Sequence, residues 1–469
     1  MHSLHFPALI NTTLSAHYSR PKASMASPEE PYVVDILEGS QHQKYSWMKS
    51  IQDQVMNYNH DQEEKNWKKT SIYRLPEFAK KMKETALTPW VVSFGPYHHG
   101  EHNLKPMEDY KQKVLVHFLH RARRPLIDFV RAIEQVLDEL RGSYHHLEEQ
   151  WITDDKRFVK LMIMDGCFML EILRLDPTTG DKSYPDHDPI FSVHGALHKL
   201  PYIRRDMLML ENQLPLRVLK VLLQVEAGES RPQMPEEEIN HLVYKFYGRN
   251  GKSKNLGLHV LDLYRKNLIE ILKIIPRSTP PEINYLGKQA MPTAVKLHEC
   301  GVKFAKSENN CINFDKGVLE LPVLEVDDST ESKFLNLMAF EHLHVDIGSE
   351  ISSYVCFLDE LVDSAMDVEL LISTGIIQNA LGSEKAVADL LNSLTKEITL
   401  DSSCEFGGVR GRVNGYRNEK INKWRATLLH THFKTPWTVL ALAAAIFLLV
   451  LTIVQTVYAG ISYHMKPTK

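Results

Sequence analysis

Five histidines in the first third of the chain are the residues with the clearest potential for chemistry. They are His98, His99, His102, His117 and His120. Imidazoles are common metal ligands, but a metal site also needs convergent geometry and a carboxylate or thiolate, which the sequence does not place here. Gly95-Pro96 and Gly100 bracket the first three histidines, as in a turn whose side chains bond backbone groups. We therefore predict a turn and assign no metal ligand.

Cys167 is a second candidate, as a nucleophile that a histidine would activate. It follows Asp165 and Gly166 within the segment Leu161 to Leu173, which is almost continuously apolar. A thiol in apolar surroundings has a raised pKa and stays inert. The sequence therefore favours a packed core helix over a catalytic cysteine.

Three further polar segments invite a functional interpretation. Glu211-Asn-Gln-Leu-Pro215 interrupts two apolar stretches, and we predict a helix boundary with buried, hydrogen-bonded side chains. Gly251-Lys-Ser253 is similar to the end of a phosphate-binding loop, but Phe246 occupies the position of the first glycine of that pattern. The acidic residues from Glu325 to Glu331 are explained by helix capping. We assign no catalytic residue, no cofactor-binding residue and no cofactor.

The composition places these residues in a large globular body. The chain has 469 residues, 43% hydrophobic and 24% charged, which allows two or three domains or one large helical body. Its formal charge of −4 lacks the basic excess of proteins that wrap nucleic acid, so no nucleic-acid partner is expected. Five scattered cysteines do not form a disulfide framework. Together with a single glycosylation sequon at Asn11, they favour a cytosolic body.

The prevailing periodicity is helical. Apolar residues from Val387 to Ile398 recur at i, i+3, i+4, i+7 and i+11, and Ser383 is placed to cap that helix. A similar stripe runs from Val114 to Ala122, stops at Pro125 and resumes from Ile133 to Leu140, which predicts two consecutive helices. The fold class is therefore mainly α.

Strands and breaks complete this outline. Trp90 to Phe94 and Val318 to Val326 are the best short strand candidates. Asp328-Ser-Thr-Glu331 predicts an aspartate version of the capping box. Polar, Pro-rich or Gly-rich stretches predict linkers, or loops within one body, at residues 176–189, 226–238, 277–290 and 402–415.

The strongest physical signal lies at the C-terminus. Trp437 to Tyr458 is a run of 22 residues without a charge. At about 1.5 Å per residue it spans roughly 33 Å, which matches a hydrocarbon core of about 30 Å. Trp437 and Tyr458 occupy the interfacial positions that amphipathic rings prefer. We predict a transmembrane helix over residues 436–460 and a short tail over 461–469; the alternative, a buried core helix, is seldom this long and apolar.

The flanking charges predict the orientation of this helix. Basic residues are more numerous before the span than after it, at Arg417, Lys420, Lys423, Arg425 and Lys434 against Lys466 and Lys469. The positive-inside rule then places the N-terminal body in the cytosol, as in a tail-anchored, single-pass protein. The choice between plasma membrane and endomembrane stays open.

The N-terminal segment differs in composition from the body. Residues 1–28 contain no acidic residue before Glu29 and lack the sustained apolar run of a signal peptide, since Phe6 to Ile10 is short and includes a proline. We predict a poorly ordered extension, with a transit peptide as the alternative. Residues 29–400 are then the helical domain, and 401–435 are a Gly-rich linker with a basic juxtamembrane segment.

A series of motifs in a fixed order resembles a known family. They are Ile72-Tyr-Arg-Leu-Pro76, Thr88-Pro-Trp-Val-Val-Ser-Phe-Gly-Pro-Tyr-His-His-Gly100, Met164-Asp-Gly-Cys-Phe168, Asp188-Pro-Ile-Phe191, Asp206-Met-Leu-Met-Leu-Glu-Asn-Gln-Leu-Pro215, Asp327-Asp-Ser-Thr-Glu331, Thr293 to Phe304, Asn336-Leu-Met-Ala-Phe-Glu341 and Trp424-Arg-Ala-Thr427. Over about residues 30 to 465 the chain is similar to the plant-specific family known as domain of unknown function 247.

This resemblance implies a plant source, a large helical globular body with a few short strands, and a single C-terminal transmembrane helix. Some family members in grasses are associated with self-incompatibility, which implies recognition or signalling. The segment from Ile398 to Tyr416 departs from the family, which tends to carry a further polar helix there. We expect a membrane-anchored, non-enzymatic interaction or signalling protein, with the lipid bilayer and unidentified proteins as partners and no identified small-molecule ligand. The alternative is a hydrolase-like enzyme that uses carboxylates and histidines of these motifs.

Overall fold

The computed structural model describes residues 46–228, 234–251, 253–272, 289–396, 406–419 and 436–464. Over these residues the fold is mainly α with a few short strands, which confirms the predicted class. The chain divides into two compact units, Met1–Gln62 and Glu63–Lys469. The described part of the first unit holds α1, Ser46–Met56, and the start of α2, His60–Lys69. The N-terminal extension predicted for 1–28 lies outside the described residues.

Among the described residues of the first half of the larger unit, the regular elements are helices. A proline directly precedes four of these helices, where its fixed φ ends the segment before and leads into the first turn. The helices are α3 (Glu77–Met82), α4 (Glu84–Leu87), α5 (Lys105–Ala122), α6 (Leu126–Glu134), α7 (Leu137–Gly142), α8 (Glu149–Thr153), α9 (Asp155–Arg174), α10 (Val193–Asp206), α11 (Leu216–Ala227), α12 (Glu236–Phe246) and α13 (Val260–Ile271).

The second half mixes helices with two small sheets. β3 lies between β1, to which it is parallel, and the antiparallel β2, while β4 pairs in parallel with β5. The elements are α14 (Ala294–Glu299), β1 (Lys303–Lys306), β2 (Asn313–Asp315), β3 (Val318–Leu321), β4 (Leu324–Val326), α15 (Thr330–Leu343), α16 (Glu350–Leu361), α17 (Ala365–Ser373), β5 (Ile377–Asn379), α18 (Glu384–Leu394), α19 (Gly407–Asn418) and α20 (Pro436–His464).

Helix α9 is the centre of the helical core. It packs against α5, α6, α11 and α12, and its side chains from Leu161 to Leu173 are buried almost without interruption. A helix that is apolar on all sides must be covered on all sides. At Gly166 an added Cβ would lie 2.5 Å from Leu222 Cδ1, so the glycine allows α9 and α11 to approach closely. The predicted core helix is confirmed.

One of the two predicted strands is correct in part. Val318 to Val326 forms strands, but Pro322 and Val323 separate β3 from β4, and the two strands belong to different sheets. Trp90 to Phe94 is not a strand. Its backbone N–H groups bond side chains instead of a neighbouring strand, as described below.

The predicted helix starts have mixed outcomes. Ser383 caps α18 as expected, because its hydroxyl accepts a hydrogen bond from the N–H of Ala386. Pro125 ends the first predicted stripe, but the second stripe is divided into α6 and α7. The prediction of a capping box at Asp328 is wrong. Asp327 makes that turn, since its Oδ1 accepts bonds from Ser329 and Thr330 ahead of α15.

The predicted linkers also differ from one another. Residues 176–189 form a loop between α9 and α10, whereas α12 already begins at Glu236. The stretch 277–290 lies outside the described residues except at its last two positions.

The predicted Gly-rich linker at 401–435 is wrong over residues 407–418, which form α19. Val409 and Val413 of this helix are fully buried, and Arg410 Nε lies 3.0 Å from Glu360 Oε2. The helix contacts β2, and Tyr416 packs on Phe314. Packing against the body therefore compensates for the low helix propensity of its glycines.

The last described element, α20, is 29 residues long. In the part of the chain that the structure describes, Ala443–Ile461 is the one segment long and apolar enough to cross a membrane, and none of it is buried. Tyr458 lies within this segment and is exposed. The backbone of Trp437 is in the first turn of α20.

Candidate functional site

Residues 88–100, named here the motif loop, contain His98 and His99, two of the five histidines that sequence analysis singled out. The loop is held by carboxylates of α9 and α10 and by amides of the segment before α11. Asp206, fully buried at the end of α10, accepts hydrogen bonds from the N–H groups of Trp90, Val91 and Val92 at 2.7–3.1 Å. Arg205 Nη1 lies 2.9 Å from the same carboxylate. Burial nonetheless raises the pKa of Asp206, against the effect of these donors.

The segment Glu211 to Pro215 continues this support. Asn212 Oδ1 accepts a bond from the N–H of Phe94 (2.6 Å), and its Nδ2 donates to the carbonyl oxygen atoms of Val92 and Asp206. Gln213 Nε2 donates to the carbonyl oxygen of Met209 (2.6 Å). Both amides are completely buried and lie just before α11. The predicted helix boundary with buried, hydrogen-bonded side chains is confirmed.

A buried lysine on α5 connects the motif loop to the core helix α9. Lys111 Nζ lies 2.7 Å from Asp165 Oδ1 and 2.5 Å from Glu108 Oε1, and it donates to the carbonyl oxygen of Ser93 (2.5 Å). The second oxygen of Asp165 accepts a bond from the N–H of Gly95 (2.8 Å). Lys111 and Asp165 are both completely buried. One cation therefore holds two helices and the loop together.

The two carboxylates that share Lys111 have different electrostatic environments. Although burial opposes it, the hydrogen bonds from His99, Lys111 and Ser93 lower the pKa of Glu108 to about 2. Burial raises the pKa of Asp165 to about 6, against the attraction of Lys111. Because Asp165 is the more deeply buried group, its ionised form depends on the lysine.

The histidines are divided among separate partners. The buried His98 has its Nδ1 2.7 Å from Glu101 Oε1 and its Nε2 3.3 Å from Glu211 Oε2. His99 Nδ1 lies 3.3 Å from Glu108 Oε2. Gly95 and Gly100 have φ of 75° and 90°, as the predicted turn requires.

The remaining histidines do not join this group. His102 and His120 are exposed, and His117 stacks on Tyr184 with a ring-centroid distance of 3.8 Å. Among the residues that the structure describes, no group of three His, Cys, Asp or Glu side chains is arranged to hold a metal ion. The hydrogen bond of His98 to Glu101, and the close approach of His98 to Glu211 and of His99 to Glu108, account for the positions of these two rings.

The surroundings of two other candidates from the sequence indicate a structural role. Cys167 is completely buried in α9, and burial raises the pKa of its thiol well above the ordinary value. Gly251 and Ser253 follow α12, and Asn240 Nδ2 donates to the carbonyl oxygen of Ser253 (3.0 Å). Lys252 lies outside the described residues.

Sequence analysis missed Lys111, although a signal for it was present. Lys111 falls three residues before Val114 and seven before Phe118, on the apolar stripe of α5. A lysine on such a stripe must find a buried anion or reach solvent. The motif Asn336 to Glu341 has a comparable role on α15, since Asn336 Oδ1 accepts a bond from the N–H of Leu210 (2.9 Å).

This arrangement uses its charged and polar groups to position backbone. Asp165 bonds a cation and one N–H group, Asp206 bonds a cation and a row of N–H groups, and the motif segments 164–168 and 206–215 meet at the motif loop. Bonds of this kind restrict the conformation of the loop that they hold.

Comparisons with known proteins identify the family of the chain. A family described as "Plant protein of unknown function", DUF247, matches residues 72–451. The UPF0481 protein At3g47200 of Arabidopsis thaliana is 30% identical over 431 residues, covering 84% of this chain and 86% of that protein. A second Arabidopsis thaliana UPF0481 protein, At3g02645, is 22% identical and covers 84% of this chain and 90% of its own length. No solved structure matches the chain. The chain therefore belongs to the DUF247 family of plant proteins.

Proposed function

We propose that this protein is a single-pass membrane protein whose helical body acts in interaction or signalling at the cytosolic surface of the membrane. The observation that carries the anchor is the exposure of α20. The six consecutive residues from Ile446 to Leu451 are each 41–64% exposed. Consecutive residues of a helix point in all directions, so apolar groups cover its whole circumference.

Such a helix is unsuited to water. A helix on the surface of a soluble body buries one apolar face, whereas α20 exposes apolar side chains on every side. At about 1.5 Å per residue its length exceeds the roughly 30 Å of a hydrocarbon core. Two of its hydroxyl groups are satisfied internally, since Thr452 and Thr456 donate to the carbonyl oxygen atoms of Leu448 and Thr452 at 2.8 and 2.7 Å. These features support insertion into a bilayer.

Two lysines at the centre of the helix test the anchor. Lysine costs about 2.5–3.5 kcal/mol at the centre of a membrane helix, so Val450→Lys with Val454→Lys should release the full chain from membranes on carbonate extraction. The matched control is Val116→Lys with Val345→Lys, at exposed valines of the body. The control and the unmodified chain should remain in the pellet. Extraction of the unmodified chain by carbonate would contradict the anchor.

The cytosolic orientation is supported by the excess of basic residues before α20 over those after it. In sealed microsomes, added protease should remove a tag inserted at Met25 and spare one placed after Lys469. The opposite pattern of protection would reverse the topology.

The use of the motif residues supports an interaction role. Four motif and core residues bond the motif loop and one another: Lys111, Asp165, Asp206 and Asn212. Their polar groups therefore serve to position the backbone of the loop. Proximity labelling by the full chain in plant cells, compared with the chain that carries the two lysines in α20, tests this role. A set of neighbours that depends on the intact anchor is expected, and identical sets would contradict a membrane-surface function.

A further inference from the structure

A cavity of about 420 Å³ lies between three helices of the body, and none of its lining residues belongs to the motif loop. The chain turns back after α5 at Arg123, whose φ is 50°, and α6 then diverges so that both helices lie over α9. Cavities of about 300–1,000 Å³ with mainly apolar walls are typical of small-molecule sites. The apolar lining consists of Leu115, Leu126, Val130, Val159, Ile163 and Met164.

The accessible apolar surface of this cavity lies on its walls. Val159 and Ile163 at the base are only 4% and 2% exposed, whereas Leu126 is 44% exposed and Leu115, Val130 and Met164 are half-buried. A volume of about 420 Å³ suits a small amphiphilic molecule. An alkyl chain bound along these walls would cover them and gain dispersion contacts.

The polar residues lie at the rim and carry a net positive charge. They are Gln112, Glu134, Lys156 and Lys160. Within the described residues, neither lysine forms an ion pair, and neither does Glu134. Two cations against one anion favour a negatively charged group at the mouth, and the long lysine stems allow both ammonium groups to reach it.

A neighbouring cavity limits where that group binds. It has a volume of about 280 Å³, shares Gln112, Lys160 and Met164 with the first, and is lined on its far side by Glu108, Asp109 and Arg157. His99, Lys160 and Leu161 complete its wall. Its two carboxylates balance the charges of Arg157 and Lys160, so this cavity lacks the net positive charge of the first. The mouth at Lys156 and Lys160 is therefore the favoured position for the negative group.

We propose that the cavity between α5, α6 and α9 binds a long-chain fatty acid, with the carboxylate at Lys156 and Lys160 and the alkyl chain along Leu115, Leu126 and Val130. The proposed membrane anchor would place the body next to a source of this ligand. Supply of the ligand therefore rests on the proposed function, whereas binding itself does not.

Photolabelling of the full chain in lipid nanodiscs tests this site. The probe is palmitic acid with a diazirine near the end of its chain, and labelled positions are mapped by mass spectrometry. We expect label within residues 112–134 or 156–164, which excess unlabelled palmitate removes. Label within Ala443–Ile461 reports probe dissolved in the bilayer and serves as an internal reference.

Two variants change the cavity in different ways. Val130→Trp fills it at a half-buried position, and Lys156→Gln with Lys160→Gln removes the charges at its mouth. Each should lower labelling of the cavity roughly tenfold and leave labelling of α20 unchanged. The matched controls, Val116→Trp and Lys113→Gln, lie on the exposed side of α5 and should label as the unmodified chain does.

The outcomes separate the two proposals. Absence of label in the cavity segments of the unmodified chain, with α20 labelled, would overturn the site, and so would label that excess palmitate does not displace. Label that persists in both variants would also overturn it. Label in the cavity segments but not in α20 would support the site and contradict the membrane anchor.

Discussion

Lys111 and Asp165 form a salt bridge of 2.7 Å at a position where neither side chain is exposed to solvent. The lysine belongs to α5 and the aspartate to α9, so the pair joins the two helices through the core. Both groups also bond the motif loop, at Ser93 and Gly95. A buried ion pair of this kind stabilises mainly because each partner prevents the other from being an uncompensated charge.

Removal of the lysine should therefore strongly destabilise the folded state. Lys111→Met keeps most of the side-chain volume but leaves Asp165 buried without its cation, and a loss of about 3–5 kcal/mol in the free energy of unfolding is expected. Urea denaturation of the full chain in detergent measures it. Lys113→Met, at an exposed position of the same helix, is the control and should change little.

Neutralising both partners should restore part of the loss. In Lys111→Met with Asp165→Asn, the amide still accepts the N–H of Gly95 and no charge is stranded in the core. A double variant less stable than Lys111→Met alone would contradict this account of the pair.

A second prediction concerns the pH dependence that His98 confers. Although burial alone would lower it, the hydrogen bonds to Glu101 and Glu211 raise the pKa of His98 above 6.5. The folded state then holds this proton more tightly than the unfolded chain. The resulting stabilisation is complete below about pH 6.5 and is lost as the pH rises through the raised pKa.

His98→Gln should therefore cost more stability in acid than in base. The urea midpoint of the unmodified chain should exceed that of the variant by a larger margin at about pH 6 than at about pH 9. His102→Gln, at an exposed histidine, should show no such difference. An equal margin at both pH values would contradict the assignment.

The structural interpretation of the histidines predicts that the protein carries no metal. Elemental analysis of the purified full chain should find no stoichiometric zinc or iron. Replacement of His98, His99 and His102 by Gln should leave the metal content unchanged, since two of them bond separate carboxylates and the third is exposed. Bound metal that this replacement removes would contradict the interpretation.

The sequence predicted those elements whose structure depends on residues close to one another along the chain. The segment from Leu161 to Leu173 forms a buried helix because apolar side chains occur on all of its faces. Ser383 caps α18 because its hydroxyl and the N–H of Ala386 lie three residues apart. Such signals depend on neighbours in sequence, so a single chain suffices to find them.

Trp90 to Phe94 shows why other parts were not predictable. Its alternation indicates a strand, but its N–H groups bond Asp206 and Asn212, which lie more than a hundred residues away in the sequence. Only the tertiary fold brings that carboxylate to the loop. The same holds for Asp165 and Lys111, which are 54 residues apart.

Helix α19 provides a fourth prediction, because its glycines indicated a linker. Val413 is fully buried in this helix, so Val413→Ala should lower the free energy of unfolding by about 2 kcal/mol through lost burial and a small cavity. Val345→Ala, at a valine that is mostly exposed, is the matched control and should be nearly neutral. Equal, negligible effects of the two variants would indicate that α19 does not pack on the body.

The last prediction concerns whether α20 does more than tether. Ala441 and Ala445 lie four residues apart on one face of the helix, a spacing that lets membrane helices approach closely, but it is frequent by chance in alanine-rich spans. Both residues are exposed. We predict that the helix only anchors, so that an unrelated apolar helix of about 22 residues in its place preserves membrane location and oligomeric state. Cross-linking in membranes measures the latter. Dimers of the unmodified chain that vanish in both Ala445→Leu and Ala445→Ile, with the protein still inserted, would show that the helix also pairs, because either residue favours the bilayer while blocking close approach.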